Sequence, residues 1–353
     1  MNFIHSLLLG VKELSSFRRI GQAATIALAT YSLMATGCGH SQKENTTLVV
    51  YAAGPRELAE TICKEFEKRE KVQTLLFSAT TGEIMAKLKA EELRPRADVV
   101  ILAGQTAAQV LKEQGALARL PEGEYLHLHP EWNDPEGRYV ATGACALGVA
   151  MRREHYDPNL DWKDIFNGAI TGRMIMPSPS QSGSSAEFVV GFDLASPDLF
   201  WKGISSVKAH GLQVSGPNNQ ALTSLVMGAH EAVLGAADYL VFRQIEKGEP
   251  LVMHFPPSGC PLSLRPIGIL ATSTHQETAG RFVQFCLSPD MQKEAAAVHL
   301  LPADPKVEVS PLRKSAAPLH ALLTDVQAAC RKQESVLSKF RAEIEQGAGG
   351  MAK

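Results

Sequence analysis

Apolar residues along this chain come in short β-branched runs, separated by stretches in which they recur every three or four positions. Residues 48–52 form a strand-like run ended by Gly54, and Pro55 opens a helix in which Leu58, Ile62 and Phe66 share one face. Residues 71–77 return as a strand. A turn at 78–82 (Ser-Ala-Thr-Thr-Gly) leads into 83–93, with Ile84 and Leu88 on one helical face. Residues 97–103 make a third buried strand, and Gly104, Gln105 and Thr106 start a helix carrying Val110 and Leu111. Strand, loop and helix three times over predicts a doubly wound α/β unit.

Residues 121–138, rich in Pro, Gly and charge, read as an irregular excursion. Within it, His127 and His129 would share one face of a strand, as half of a metal site or as plain surface histidines; no third ligand is anchored nearby. Small apolar residues at 140–150 suggest a first crossing into a second lobe, followed by a short helix at 162–166 and a buried strand at 173–176. Pro177 and Pro179 stop that strand. Helix is expected at 200–210, extended chain at 213–215, and a helix capped by 216–220 that carries Leu222, Leu225 and Val226. Residues 230–240 run from strand into a polar turn at Asp238 and Tyr239, 251–255 and 264–270 are strands of a return crossing, and 278–287 and 290–298 are helices. An amphipathic helix is expected over 319–346, with 347–353 fraying. These elements predict a two-lobed clamshell, each lobe a doubly wound sheet with flanking helices: 48–140 plus 265–346 in one, 141–264 in the other.

The first 37 residues read as a targeting segment. Lys12, Arg18 and Arg19 form a positive region, and 20–34 is apolar but too short to span a bilayer comfortably. Ala35-Thr36-Gly37-Cys38 then resembles a bacterial lipobox, which implies acylation of Cys38, a lipidated tether over 38–47, and anchorage at the extracytoplasmic face of the cell envelope, with no other membrane contact. Ordinary signal-peptidase cleavage is the alternative, and it too puts the protein outside the cytoplasm.

Composition narrows the function. A net charge of −2 and the lack of any basic run exclude a nucleic-acid partner. Cys63, Cys145, Cys260, Cys286 and Cys330 are odd in number and widely spaced, and no C-x-x-C pattern offers a metal or redox site, so no cofactor is expected.

In doubly wound units small ligands bind where strand carboxyl ends meet helix N-termini. That places Gly54, the turn Thr80-Thr81-Gly82, and Gln105 on one edge of the first lobe. The second lobe offers Ser180, Ser182, Gly183, Ser184 and Ser185, then Asn218 and Asn219, then Asp238 and Tyr239. Unpaired helix N–H groups, hydroxyl donors and a close-approaching glycine suit an anion, and Arg56 and Arg265 are the basic residues placed near the cleft. A serine hydrolase is the rival class, but no Gly-x-Ser-x-Gly occurs, and Ser205-x-x-Lys208 is too short a pattern to carry a nucleophile, so the chain is not read as an enzyme.

Four segments, Val50-Tyr-Ala-Ala53, residues 80–91 with 97–100, residues 177–185, and residues 279–288 with Gln292, together resemble the extracytoplasmic solute-binding proteins of ABC importers, in the branch of ferric-iron, 2-aminoethylphosphonate and hexose-phosphate binders. The resemblance covers about 48–345. It implies a periplasmic-binding-protein fold, a monomer, and a small anionic ligand (phosphonate, organophosphate or similar oxyanion) delivered to a permease with its ATPase. Iron binders of this branch use adjacent tyrosines where this chain has Tyr239-Leu240, so Tyr239 alone would serve iron and no metal ligand set is complete. The first three strand loops are also similar to those of molybdate binders, and close relatives of the branch act as sensors for membrane regulators; these remain the alternatives.

Overall fold

The computed structural model describes residues 47–346 except 171, 317–318 and 323–324. The expected signal segment, Cys38 and the tether up to 46 lie outside the described residues, as does 347–353. In chain order the first part comprises β1 (Thr47–Ala52), α1 (Arg56–Glu70), β2 (Gln73–Ser78), α2 (Thr81–Ala90), β3 (Val99–Ile101) and α3 (Gln105–Glu113). β1 lies between β2 and β3, parallel to both. Because side chains alternate along a strand, Leu48, Val50 and Ala52 pack with Ile62 and Phe66 of α1, whereas Tyr51 and Ala53 join Ile84 of α2 and Leu111 of α3 on the other face. Helices on both faces explain why these strands read as unbroken apolar runs.

β4 (Tyr139–Arg152) then joins the two halves of the molecule. After it come α4 (Trp162–Phe166), β5 (Met174–Met176), α5 (Gly183–Ala195), α6 (Pro197–Ala209), β6 (Gln213–Val214), α7 (Asn218–Val226), β7 (Ala232–Ala237), α8 (Asp238–Glu246) and β8 (Leu251–His254). The chain returns through β9 (Cys260–Ile269), α9 (Gln276–Cys286), α10 (Pro289–Ala297), β10 (Leu301–Pro302), α11 (Pro311–Ser315), β11 (Ala321–Leu322) and α12 (Val326–Phe340). The strand order is β2-β1-β3-β9-β4-β7-β5-β6. The first part of β4 pairs antiparallel with β9, from Tyr139 to Ala146, and its remainder pairs with β7 and β8. A long strand shared by two half-sheets therefore forms the crossing. Core aromatics of the second half, Trp162, Phe188, Phe192 and Phe200, are fully buried.

Two expected elements differ. His127 and His129 do not lie on a strand: tight turns at Glu124–His127 and Pro130–Trp132 break the alternation, and His129 stacks on Trp132 with ring centroids 3.8 Å apart. The C-terminal helix begins at Val326, where Asp325 accepts from the Gln327 and Ala328 N–H groups at 3.0 Å. Its stripe of Ala329, Val336 and Phe340, continued by Ile344, packs into the core of the second half, with Phe340 stacked on Phe200 at 6.5 Å. The expectation places this tail with the first lobe, and α12 does pack along α3 of that lobe as well as along α5 of the second. The aromatic cluster around Phe200 supplies the larger apolar surface, and that is where the stripe docks.

Candidate functional site

A cavity of about 260 Å³ lies where the two halves meet. First-turn residues of five helices surround it: Arg56 of α1, Thr81 of α2, Gly183 and Ser184 of α5, Asn218 and Asn219 of α7, and Tyr239 and Leu240 of α8. The turns or caps before these helices contribute Gly54, Thr80 and Ser182, together with Ser78, Ala79, Gln181 and Pro217. The first N–H groups of a helix lack partners within it, and the aligned peptide dipoles make that end positive. Ends of this kind facing one space favour an anion, although at α8 the Asp238 carboxylate already accepts from the Tyr239 N–H at 2.6 Å.

Side-chain caps set two of these ends, those of α2 and α5. The α2 turn is a capping box: Thr80 Oγ1 accepts from Glu83 N–H at 3.2 Å, and Glu83 Oε2 accepts from Thr80 N–H at 2.8 Å. At α5, Ser182 Oγ accepts from Ser185 N–H at 3.2 Å. Asn218 Nδ2 donates to Ser184 Oγ at 2.8 Å, which leaves the buried Asn218 Oδ1 without a partner. Thr81 Oγ1 is committed inside the first half, accepting from Ala103 N–H at 2.9 Å.

The floor of the cavity is Arg265. It sits on β9 opposite Thr142 and Gly143, where the β4–β9 register shifts, and a bulge of this kind re-aims the side chain facing it. The guanidinium is 3 % exposed. Nη1 donates to Ala53 O at 3.3 Å, Nη2 contacts Cys145 Sγ at 3.8 Å, Nε has no partner, and Cζ lies 5.1 Å from the centroid of the Tyr239 ring. No carboxylate forms an ion pair with it among the described residues. Burial pushes the Tyr239 phenol above its usual pKa, with the nearby Arg265 opposing.

The remaining expected site residues lie elsewhere. Asp238 is fully buried and does not reach the cavity: it forms an ion pair with Arg313 at 2.7 Å and accepts from the Ala146 N–H at 2.9 Å. Ser185 donates to Pro177 O at 2.6 Å and is likewise internal. Gly82 and Ser180 line a separate groove beside α12, where Ser178 and Ser180 donate to Glu345 at 2.6 and 3.4 Å. Gln105 heads α3, but the N-terminus of that helix is taken by Glu187 of α5, whose Oε1 accepts from Thr106 N–H at 3.0 Å and Thr106 Oγ1 at 2.6 Å. The pattern of hydroxyls and glycines found the helix ends; it held no sign of Gln181, Leu240, or the two carboxylates that fill rival sites.

Two α/β halves joined by crossing strands, with a ligand-sized space between them ringed by helix ends, define a periplasmic binding protein. Residues 47–297 match the family model described as bacterial extracellular solute-binding protein, and the chain belongs to that family. It is thus an extracytoplasmic protein that binds a small ligand and works with an ABC permease. The chain is similar to the periplasmic binding protein AfuA from Actinobacillus pleuropneumoniae, determined with exogenous fructose-6-phosphate bound, at a TM-score of 0.75 and 22 % identity over 85 % of this chain and 98 % of that one. The periplasmic binding protein P5PA gives 0.74 and 20 % over 85 % and 100 %, and a ferric binding protein from Campylobacter jejuni 0.74 and 18 % over 84 % and 99 %. An uncharacterised protein of Haemophilus influenzae is 23 % identical over 296 residues, 79 % of this chain and 83 % of its own length.

Proposed function

We propose that this chain captures a small solute bearing a phosphoryl, phosphonate or similar oxyanion group between its two lobes and delivers it to its permease as a monomer anchored through Cys38. One observation carries the reading: Arg265, a buried guanidinium with no carboxylate partner, faces a cavity ringed by five helix N-termini. A buried charge is costly unless paired, and an anionic ligand supplies the missing partner. Each hydrogen bond to a charged acceptor contributes roughly 1.5–3 kcal/mol, so a handful of aimed donors suffices for micromolar binding or better. The cavity, about 260 Å³ against about 30 Å³ for a water in the liquid, favours an anionic head with a short organic body over a bare oxyanion. AfuA, with its bound fructose-6-phosphate, accords with this size.

Ferric iron fits the donor set poorly. Fe(III) favours several anionic oxygens, whereas the cavity offers one phenol whose pKa burial raises and one carboxylate, Glu83, already held by Thr80. The lobe division we favour runs through β4 and β9, with α12 lying across α3 of the first lobe and α5 of the second.

The test is thermal unfolding against phosphate, molybdate, 2-aminoethylphosphonate, hexose phosphates, phosphoglycerate and ferric citrate, repeated with Arg265→Met. A ligand at a hundredfold excess over its dissociation constant stabilises by roughly 2.7 kcal/mol, a shift of several degrees. Arg265→Met should lower affinity for the responding anion at least a hundredfold, while the ligand-free protein melts no lower than wild type. Unchanged affinity, or a response to ferric citrate alone, would overturn the reading.

A further inference from the structure

The end of α3 has the features of an anion site, and an anion from the chain itself already fills it. Glu187, on the second turn of α5, reaches from the second lobe to the first and accepts two hydrogen bonds from Thr106. Donor and acceptor residues are each 4 % exposed, and Glu187 has no basic partner among the described residues. Gly104 makes the room: its φ is +131°, and a Cβ there would stand 2.9 Å from Glu187 Oε1. Burial pushes the Glu187 carboxyl above its usual pKa, opposed by the Thr106 bonds. Leaving such a group buried is unfavourable unless its bonds are made. Those bonds tie α3 to α5 across the two lobes, next to α12, which packs on both helices.

We propose that Glu187 acts as an internal surrogate ligand: it occupies the α3 anion site from across the lobes, holds the clamshell towards its closed form without solute, and leaves Arg265 as the anchor for the incoming anion. The inference rests on the two-lobe binding reading and adds a determinant of affinity outside the ligand cavity. A solute binding only the closed form has an apparent dissociation constant equal to the intrinsic one divided by the closed fraction. A contact that raises that fraction tightens binding without touching the ligand.

The experiment is small-angle X-ray scattering of ligand-free protein, wild type against Glu187→Ala and Thr106→Val, followed by calorimetric titration with the solute that responds in the unfolding panel. Both variants should show a larger radius of gyration without ligand and a dissociation constant raised about tenfold for Glu187→Ala. Saturating solute should restore the wild-type scattering. Thr106→Val keeps the backbone N–H and removes only one bond, so it carries the test if Glu187→Ala does not fold. Wild-type scattering from a folded variant without ligand would overturn the proposal. Expansion of the variants with no panel compound binding the wild type would support the latch and remove the anion reading, so the two fail separately.

Discussion

Arg265 and Arg313 are both buried, 3 % and 8 % exposed, and among the described residues only Arg313 has a carboxylate partner. Arg313 meets Asp238 at 2.7 Å and also donates to the His299 carbonyl through Nε at 3.2 Å and Nη2 at 2.6 Å. That network is complete, so it is structural; Arg265 is incomplete, so it is available to a ligand. Asp238→Ala should therefore cost about 3–5 kcal/mol of stability, measured by urea denaturation, because it strands the Arg313 charge. Solute affinity of the folded protein should stay within a fewfold of wild type. A large affinity loss with intact stability would return Asp238 to the ligand site. In the sequence Asp238 and Tyr239 look alike as polar residues at a strand end, and nothing local marks which one faces inwards. Asp238 is claimed by a partner far along the chain, a pairing that no periodicity encodes.

Helix ends carry the site at the next scale. The turns at 80–82 and 182–185 were legible because capping chemistry is local: a hydroxyl before an apolar repeat, with a glycine where backbones approach; the expected cap of α7 is absent, since Pro217 precedes it and Asn218 donates to Ser184 instead. The same rule pointed to Gln105 and could not reveal that Glu187 already fills that end. α12 shows the converse. Its amphipathic stripe was plain, but not the surface it covers. Phe340 is fully buried against Phe200 and Trp201, so Phe340→Ala should cost about 3–5 kcal/mol in urea denaturation, with the helical circular dichroism of the folded state little changed. A cost below about 1 kcal/mol would mean that the helix is an appendage.

Across the whole molecule, β4 and β9 let two half-sheets share one framework, with the cavity between them. The two halves approach closely at Gly183, where a Cβ would fall 2.1 Å from Ala103 O and 2.8 Å from Thr81 Oγ1. Gly183→Ala keeps the helix but cannot keep this approach. It should weaken solute binding at least tenfold and enlarge the radius of gyration even with solute present, by titration and X-ray scattering; wild-type values for both would show that the approach is not required for closure. Sequence by itself determined the α/β class, the repeated strand, turn and helix units, the two lobes and the hydroxyl-rich turns, because hydrophobic periodicity and capping act between near neighbours in the chain. Only the tertiary structure decided that Arg265 lacks a carboxylate partner among the described residues, that Asp238 is claimed by Arg313, that α12 lies across α3 and α5, and that Glu187 fills the third helix end. Each of those depends on a partner brought close by folding, and burial then turns a missing or present partner into a difference of several kcal/mol.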